Sequence, residues 1–326
     1  MFFNRYLIPI CLIVTTFPLT LDRVDAAYEA RAILAREVGA IAKKTVVRIE
    51  SADGGFGSGV IIGRVERGNK NIYTVLTAAH VVKSGGTRYK IITPIPLNNL
   101  SQKRRLTIDI DTTRNIKIIP NVDLAEISFE SSYTFAIGTI GNSEYIDEGS
   151  PVYVAGFPRP GRAIKRIAMQ FTGGMVSSRL DEADSPQGTL RERNPPEQTN
   201  GYDLAYTNIT RAGMSGGPVF DAAGRVVAIH GQGDRNHQAS GESSDNGITN
   251  DEKTGFNLGI PIQILLKFQA NNLAGARIDK SPINYQLIDR SFTIGTNSKK
   301  FTRKFRNRSD SPPLFDATKV NEQIYD

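Results

Sequence analysis

Cysteine occurs once in the 326 residues, at position 11, and histidine only three times, at positions 80, 230 and 237. Cys11 falls in the apolar run from Leu7 to Leu21, behind Arg5 and ahead of Val24-Asp25-Ala26, a small-x-small pattern before Ala27. That arrangement reads as an export signal over residues 1–26. The run is short for a membrane span and carries Pro9 and Pro18, which favours removal over a retained anchor. A processed chain has no cysteine, which excludes disulfides and thiol chemistry. The three histidines lie far apart, with no acidic motif of liganding spacing, so no metal is expected. No glycine loop of phosphate-cradling form precedes a helix, and Gly54-Gly55 and Gly173-Gly174 fit hairpins better. No cofactor is implied.

What remains is ordinary for a soluble globular chain: 39% hydrophobic and 22% charged, with a formal net charge of +7. The basic excess is modest and no nucleic-acid motif accompanies it, so a nucleic-acid partner is not expected. Its densest part is Ser298 to Arg308, a basic run without acids. That run reads as a solvated tail, with weak contact to anionic surfaces as its functional alternative.

Apolar alternation organises the middle of the chain. Residues 27–44 have helix-compatible spacing. From Thr45 the pattern turns to strands: Thr45 to Glu50, Gly57 to Ile62, Tyr73 to Val82, Tyr89 to Thr93, Leu106 to Ile110, Ile116 to Ile119 and Leu124 to Phe129. A polar, glycine-rich stretch from Gly138 to Gly149 separates these from a second set. That set contains Pro151 to Pro158, Arg166 to Phe171, Gly174 to Ser178, Leu204 to Thr207, Val226 to His230 and Phe256 to Ile260, and a helix from Ile262 to Ala270 closes it. Asp181 to Asn200 and Gly231 to Gly255 are polar and read as surface loops, the second bordering a cleft. The expected fold class is all-β, as two antiparallel Greek-key barrels over 45–140 and 141–270 with a cleft between them, flanked by short helices. A basic, disordered C-terminal tail is expected over 271–326.

The chemistry concentrates in Thr210-Arg211-Ala212-Gly213-Met214-Ser215-Gly216-Gly217-Pro218-Val219-Phe220. A serine hydroxyl needs a base to take its proton and donors to hold the oxyanion it generates. Glycines around Ser215 let successive N–H groups aim at one point, which nominates the N–H groups of Gly213 and Ser215. His80, in Thr77-Ala78-Ala79-His80, is the candidate base. Asp123, in Val122-Asp123-Leu124-Ala125, has the apolar setting that an orienting carboxylate demands, whereas its competitors Asp109 and Asp111 lie in a polar alternating strand.

These three motifs, in the order His, Asp, Ser, resemble the chymotrypsin-fold (trypsin-like) serine peptidases across roughly residues 45 to 270. The resemblance implies an exported, periplasmic or secreted serine endopeptidase of the bacterial, disulfide-free type, acting on proteins or peptides. It implies a catalytic set of His80, Asp123 and Ser215. Met214 replaces the aspartate that digestive-type relatives use to pair with a new N-terminus, so the loop is expected to be held by packing. Thr210, His230 and Gly231 are similarly placed to the pocket residues of glutamyl endopeptidases, which implies a preference for acidic side chains. Ile209 stands where enzymes that cut after basic residues carry an aspartate. High-temperature-requirement proteases have similar cores, although the segment after residue 270 is too short for their peptide-binding domain. Two alternatives stay open: a non-catalytic binding module on the same barrels, and a protease-chaperone.

Overall fold

The computed structural model describes residues 30–83, 88–99, 103–162, 164–180, 200–235, 253–269 and 273–285. The export signal, most of both polar loops, His237 and the basic run at 298–308 lie outside the described residues.

The described chain opens with β1 (Ala30–Arg31) and α1 (Ala35–Thr45). The helix begins eight residues later than the apolar spacing suggests. Upstream backbone groups are engaged elsewhere: Ala30 N–H donates to Pro282 and Ile33 N–H to Ala222. The Glu37 carboxylate accepts the Leu34 N–H at 3.0 Å, closing the first turn. Val38 and Ala42 form the buried face of α1.

Seven strands make the first barrel: β2 (Val46–Ser51), β3 (Phe56–Arg67), β4 (Lys70–Ala78), β5 (Arg88–Ile92), β6 (Thr107–Asp111), β7 (Ile116–Ile118) and β8 (Leu124–Ser131). Their order is β6-β5-β2-β3-β4-β8-β7, every pair antiparallel. The two edges, β6 and β7, are joined by the one-turn helix α3 (Thr112–Asn115), which comes after α2 (Ala79–Lys83) in the chain, so the sheet curls almost shut. Its interior packs Ile49, Ile61, Val75 and Ile127 around an aromatic cluster. There Tyr73 stacks on Phe129 at 5.1 Å and meets Phe135 edge-on at 5.2 Å.

The second barrel uses β9 (Thr139–Ile140), β10 (Pro151–Gly156), β11 (Gln170–Arg179), β12 (Leu204–Tyr206), β13 (Pro218–Phe220), β14 (Val226–Arg235) and β15 (Lys253–Pro261). The order β13-β10-β11-β12-β15-β14 closes on itself through a β13–β14 pairing. The expected hairpin at Gly173-Gly174 is instead the interior of one strand: Gly173 pairs with Tyr153 and Gly174 with Val152. Side chains from neighbours fill the space that the two glycines leave, the Tyr153 ring over Gly173 and Asn208 against Gly174.

After α4 (Ile262–Phe268), packed chain continues past residue 270. Its strands are β16 (Arg277–Ile278), parallel to β9, and β17 (Ile283–Asn284), parallel to β1. Arg225 fastens this extension. Its guanidinium donates to the carbonyls of Asp279 and Ser281 while Nε pairs with buried Asp221 at 2.8 Å. A shared apolar cluster, from Val60 and Leu76 through Ile140 and Val226 to Leu265, joins the two barrels.

Candidate active site

His80 is the second residue of α2, two residues past the end of β4. Its Nδ1 lies 2.6 Å from Asp123 Oδ2, and its own backbone N–H donates to Oδ1 at 2.7 Å. The Ala79 N–H completes the connection on the Asp123 carbonyl at 2.9 Å. Both carboxylate oxygens are thereby held to a single residue. The Asp123 side chain is only 14% exposed, whereas that of His80 is 46% exposed and open to the cleft. Burial works against the Asp123 charge, but hydrogen bonds from His80 and Tyr202 and the nearby imidazole outweigh it and hold the carboxyl below its ordinary range.

Ser215 lies in the loop between β12 and β13, which is clamped to the first barrel by one residue. Ser58 is fully buried in β3. Its hydroxyl donates to the Gly213 carbonyl and accepts the Phe157 N–H, each at 2.8 Å. Its N–H donates to the Ser215 carbonyl at 2.8 Å, and its own carbonyl accepts the Thr77 hydroxyl at 2.7 Å. Gly216, at φ +82°, lies against Thr77 and Ala78, the residues leading into His80. Ser58 and Gly216 therefore bring the serine loop and the histidine helix together.

The loop itself is a turn from Arg211 to Met214, closed by the Met214 N–H on the Arg211 carbonyl at 3.0 Å. Gly213 has φ +97°, the left-handed value that the third residue of a type II turn requires. A side chain there would also strike the Phe157 carbonyl and the Phe56 ring. The Ala212 carbonyl accepts the Arg159 N–H at 2.8 Å, and the Met214 carbonyl accepts the Gly217 N–H at 2.9 Å. In a trans peptide the N–H points opposite the carbonyl. The N–H groups of Gly213 and of Ser215 itself are thus turned away from Arg159 and Gly217. These two fixed donors have no acceptor among the described residues. Met214 is fully buried and packs so closely on Gly156 that no side chain fits there, so packing and backbone bonds hold the loop.

The Ser215 hydroxyl donates to the Gly231 carbonyl at 2.8 Å. Gly231 abuts Tyr202, whose ring and hydroxyl occupy the space of a Cβ, and that hydroxyl donates to Asp123 Oδ2. Ser215, Gly231, Tyr202, Asp123 and His80 therefore form one connected set. Sequence reading missed Tyr202 and Ser58. Ser58 lies in the strand read from Gly57 to Ile62, but nothing local marks Tyr202.

The trypsin-like peptidase domain matches residues 57–229, just over half of the chain. The chain belongs to that family. A search of the curated proteins finds no match. Among solved structures, the peptidase is similar to Deg5, with a TM-score of 0.47 and 18% identity over 73% of this chain and 95% of that one. It is also similar to the HtrA-type protease AlgW with a tripeptide, with a TM-score of 0.47 and 17% identity over 72% of this chain. It spans 62% of the AlgW chain.

The remaining pocket candidates of the peptidase lie deeper. His230 is 2% exposed, its Nδ1 2.7 Å from the Tyr206 hydroxyl. The Tyr206 hydroxyl also lies 3.3 Å from the Leu258 carbonyl, to which it donates. Thr210 donates to Asn257 Oδ1, and Asn257 pairs with Tyr206 across β12 and β15. Thr210 and His230 are thus related through strand register, Asn257 standing opposite Tyr206. Ile209 is 76% exposed and lines no interior. Among the described residues no group of three or more His, Cys, Asp or Glu side chains is placed to hold a metal ion.

Proposed function

We propose that this trypsin-like peptidase is an exported serine endopeptidase in which Ser215 attacks, His80 moves the proton and Asp123 orients the imidazole. The observation that carries the reading is the connected set itself: an imidazole held at Nδ1 by a shielded carboxylate, beside a serine whose own N–H and that of Gly213 have no acceptor among the described residues. For attack, the Ser215 hydroxyl turns from the Gly231 carbonyl to His80 Nε2. It then adds to the scissile carbonyl as the proton passes to the imidazole. The N–H groups of Gly213 and Ser215 receive the oxyanion. His80 returns the proton to the leaving amine, and water, activated by the same imidazole, hydrolyses the acyl-enzyme. Export rests on the pattern of residues 1–26.

A finer element is a preference for Glu or Asp before the scissile bond, supported by Thr210 and His230. Tyr206 holds His230 through Nδ1, and an imidazolium at this position would supply charge and a donor to a substrate carboxylate. Binding one also requires the Thr210 hydroxyl to leave Asn257. Hydrolysis of an unfolded protein by the wild type, compared with Ser215→Ala and His80→Ala, tests the main reading. Cleavage that persists undiminished in Ser215→Ala rules it out.

A further inference from the structure

Tyr202 stands outside the three catalytic motifs yet contacts the carboxylate at their centre. It comes directly after a left-handed Gly201 at the head of β12 and is 7% exposed. The loop that carries it is tied to Asp123 directly, since the Asp123 N–H donates to the Asn200 carbonyl at 2.9 Å. Its hydroxyl donates to Asp123 Oδ2, the same oxygen that faces His80 Nδ1. Its ring is seated by the absent side chain of Gly231, whose carbonyl holds Ser215. Burial and then the Asp123 charge push the phenol far above its ordinary range, so it remains a donor.

We propose that Tyr202 is a positioning residue of the catalytic centre, fixing the plane of the Asp123 carboxylate and, through the Gly231 backbone, coupling it to Ser215. The inference rests on the serine-peptidase reading. Asp123 Oδ1 is held by the His80 backbone, but among the described residues Oδ2 is held only by the imidazole it must orient and by Tyr202. With the phenol present, the carboxylate stays coplanar with Nδ1–H while the imidazole gains and loses its proton. Without it, the carboxylate rotates and concentrates charge on Oδ2. Gly231 is the other half of the device. A methyl group at that position displaces the Tyr202 hydroxyl from Asp123, so the two positions act as one.

The test uses Tyr202→Phe in the full chain, which keeps the ring and removes only the hydroxyl. Loss of a hydrogen bond to a charged group predicts a kcat lower by about tenfold or more, with KM changed less than about twofold. The low-field proton resonance of His80 Nδ1–H moves in the variant, a readout independent of turnover. Gly231→Ala reproduces the shift, and the double variant loses less than the product of the single losses. A Tyr202→Phe enzyme with wild-type kcat and an unmoved resonance overturns the proposal. Failure of the wild type to react with a fluorophosphonate defeats the peptidase reading instead, and the resonance then still decides whether Tyr202 holds Asp123.

Discussion

The Ser58 hydroxyl donates to the carbonyl of Gly213 at 2.8 Å across 155 residues of sequence, and the Ser58 N–H reaches the carbonyl of Ser215 at the same distance. One side chain and one backbone group of the first barrel thus set the direction of two peptides in the second. Ser58→Ala leaves the Gly213 carbonyl and the Phe157 N–H buried without this partner. Loss of one positioned oxyanion donor costs on the order of 10²-fold in kcat in comparable sites. A fall of about tenfold to a hundredfold, with KM nearly constant, is expected from steady-state kinetics on a peptide amide.

Arg225 and Asp221 form a buried ion pair that also holds the C-terminal extension. Burial raises the Asp221 carboxyl, and the Arg225 charge and hydrogen bonds pull against it. Removing one member of such a pair leaves an uncompensated charge, typically costing about 3–5 kcal/mol. Arg225→Met is therefore expected to lower the urea midpoint strongly, and Asp221→Asn in the same chain to restore part of the loss. Equal midpoints for wild type and Arg225→Met would contradict this.

Asp123 contributes to the acid-side pH dependence, as do Asp111 and Asp279, whose carboxyls are also held below their ordinary range. The folded-state carboxyl of Asp123 lies below the ordinary range, so its contribution to stability is fully present above the unfolded value of about 3.9. It is lost as pH falls through the lower folded value. Asp123→Asn is expected to flatten the fall in urea midpoint at acid pH. It is also expected to reduce kcat on the order of 10⁴-fold at neutral pH, because an imidazole without its orienting carboxylate presents the wrong tautomer to the serine.

The proposed acidic preference makes a separate demand on His230. In a peptide library, cleavage after Glu or Asp should exceed cleavage after apolar residues by about tenfold or more, and His230→Ala should remove the excess. Equal cleavage after both classes, or a preference that survives His230→Ala, rejects the pocket assignment while leaving the catalytic set untouched.

How much of this was legible depends on how far each signal reaches along the chain. Thr77 to His80, Val122 to Ala125 and Gly213 to Phe220 are local patterns of small, apolar and glycine residues, and most strands of both barrels showed as apolar alternation. Tyr202 and Ser58 act on partners 79 and 155 residues away, which no window of sequence contains. Gly173-Gly174 misled because a glycine pair signals a turn unless neighbours such as Tyr153 and Asn208 fill the vacant space, and that is a tertiary fact. The start of α1 was shifted because Ala30 and Ile33 satisfy their backbone groups on segments near residues 222 and 282. The packed extension at 273–285 was hidden for a similar reason. Its two-residue strands are too short to show periodicity and depend on β1, β9 and Arg225.

The proposed function makes Ser215 an activated nucleophile in a preset oxyanion loop. Reaction of the full chain with a fluorophosphonate and subsequent peptide mapping test it most directly. The expected result is stoichiometric modification of Ser215, strongly slowed in His80→Ala and absent in Ser215→Ala. An unmodified Ser215, under conditions that fully label a known serine protease, would contradict it.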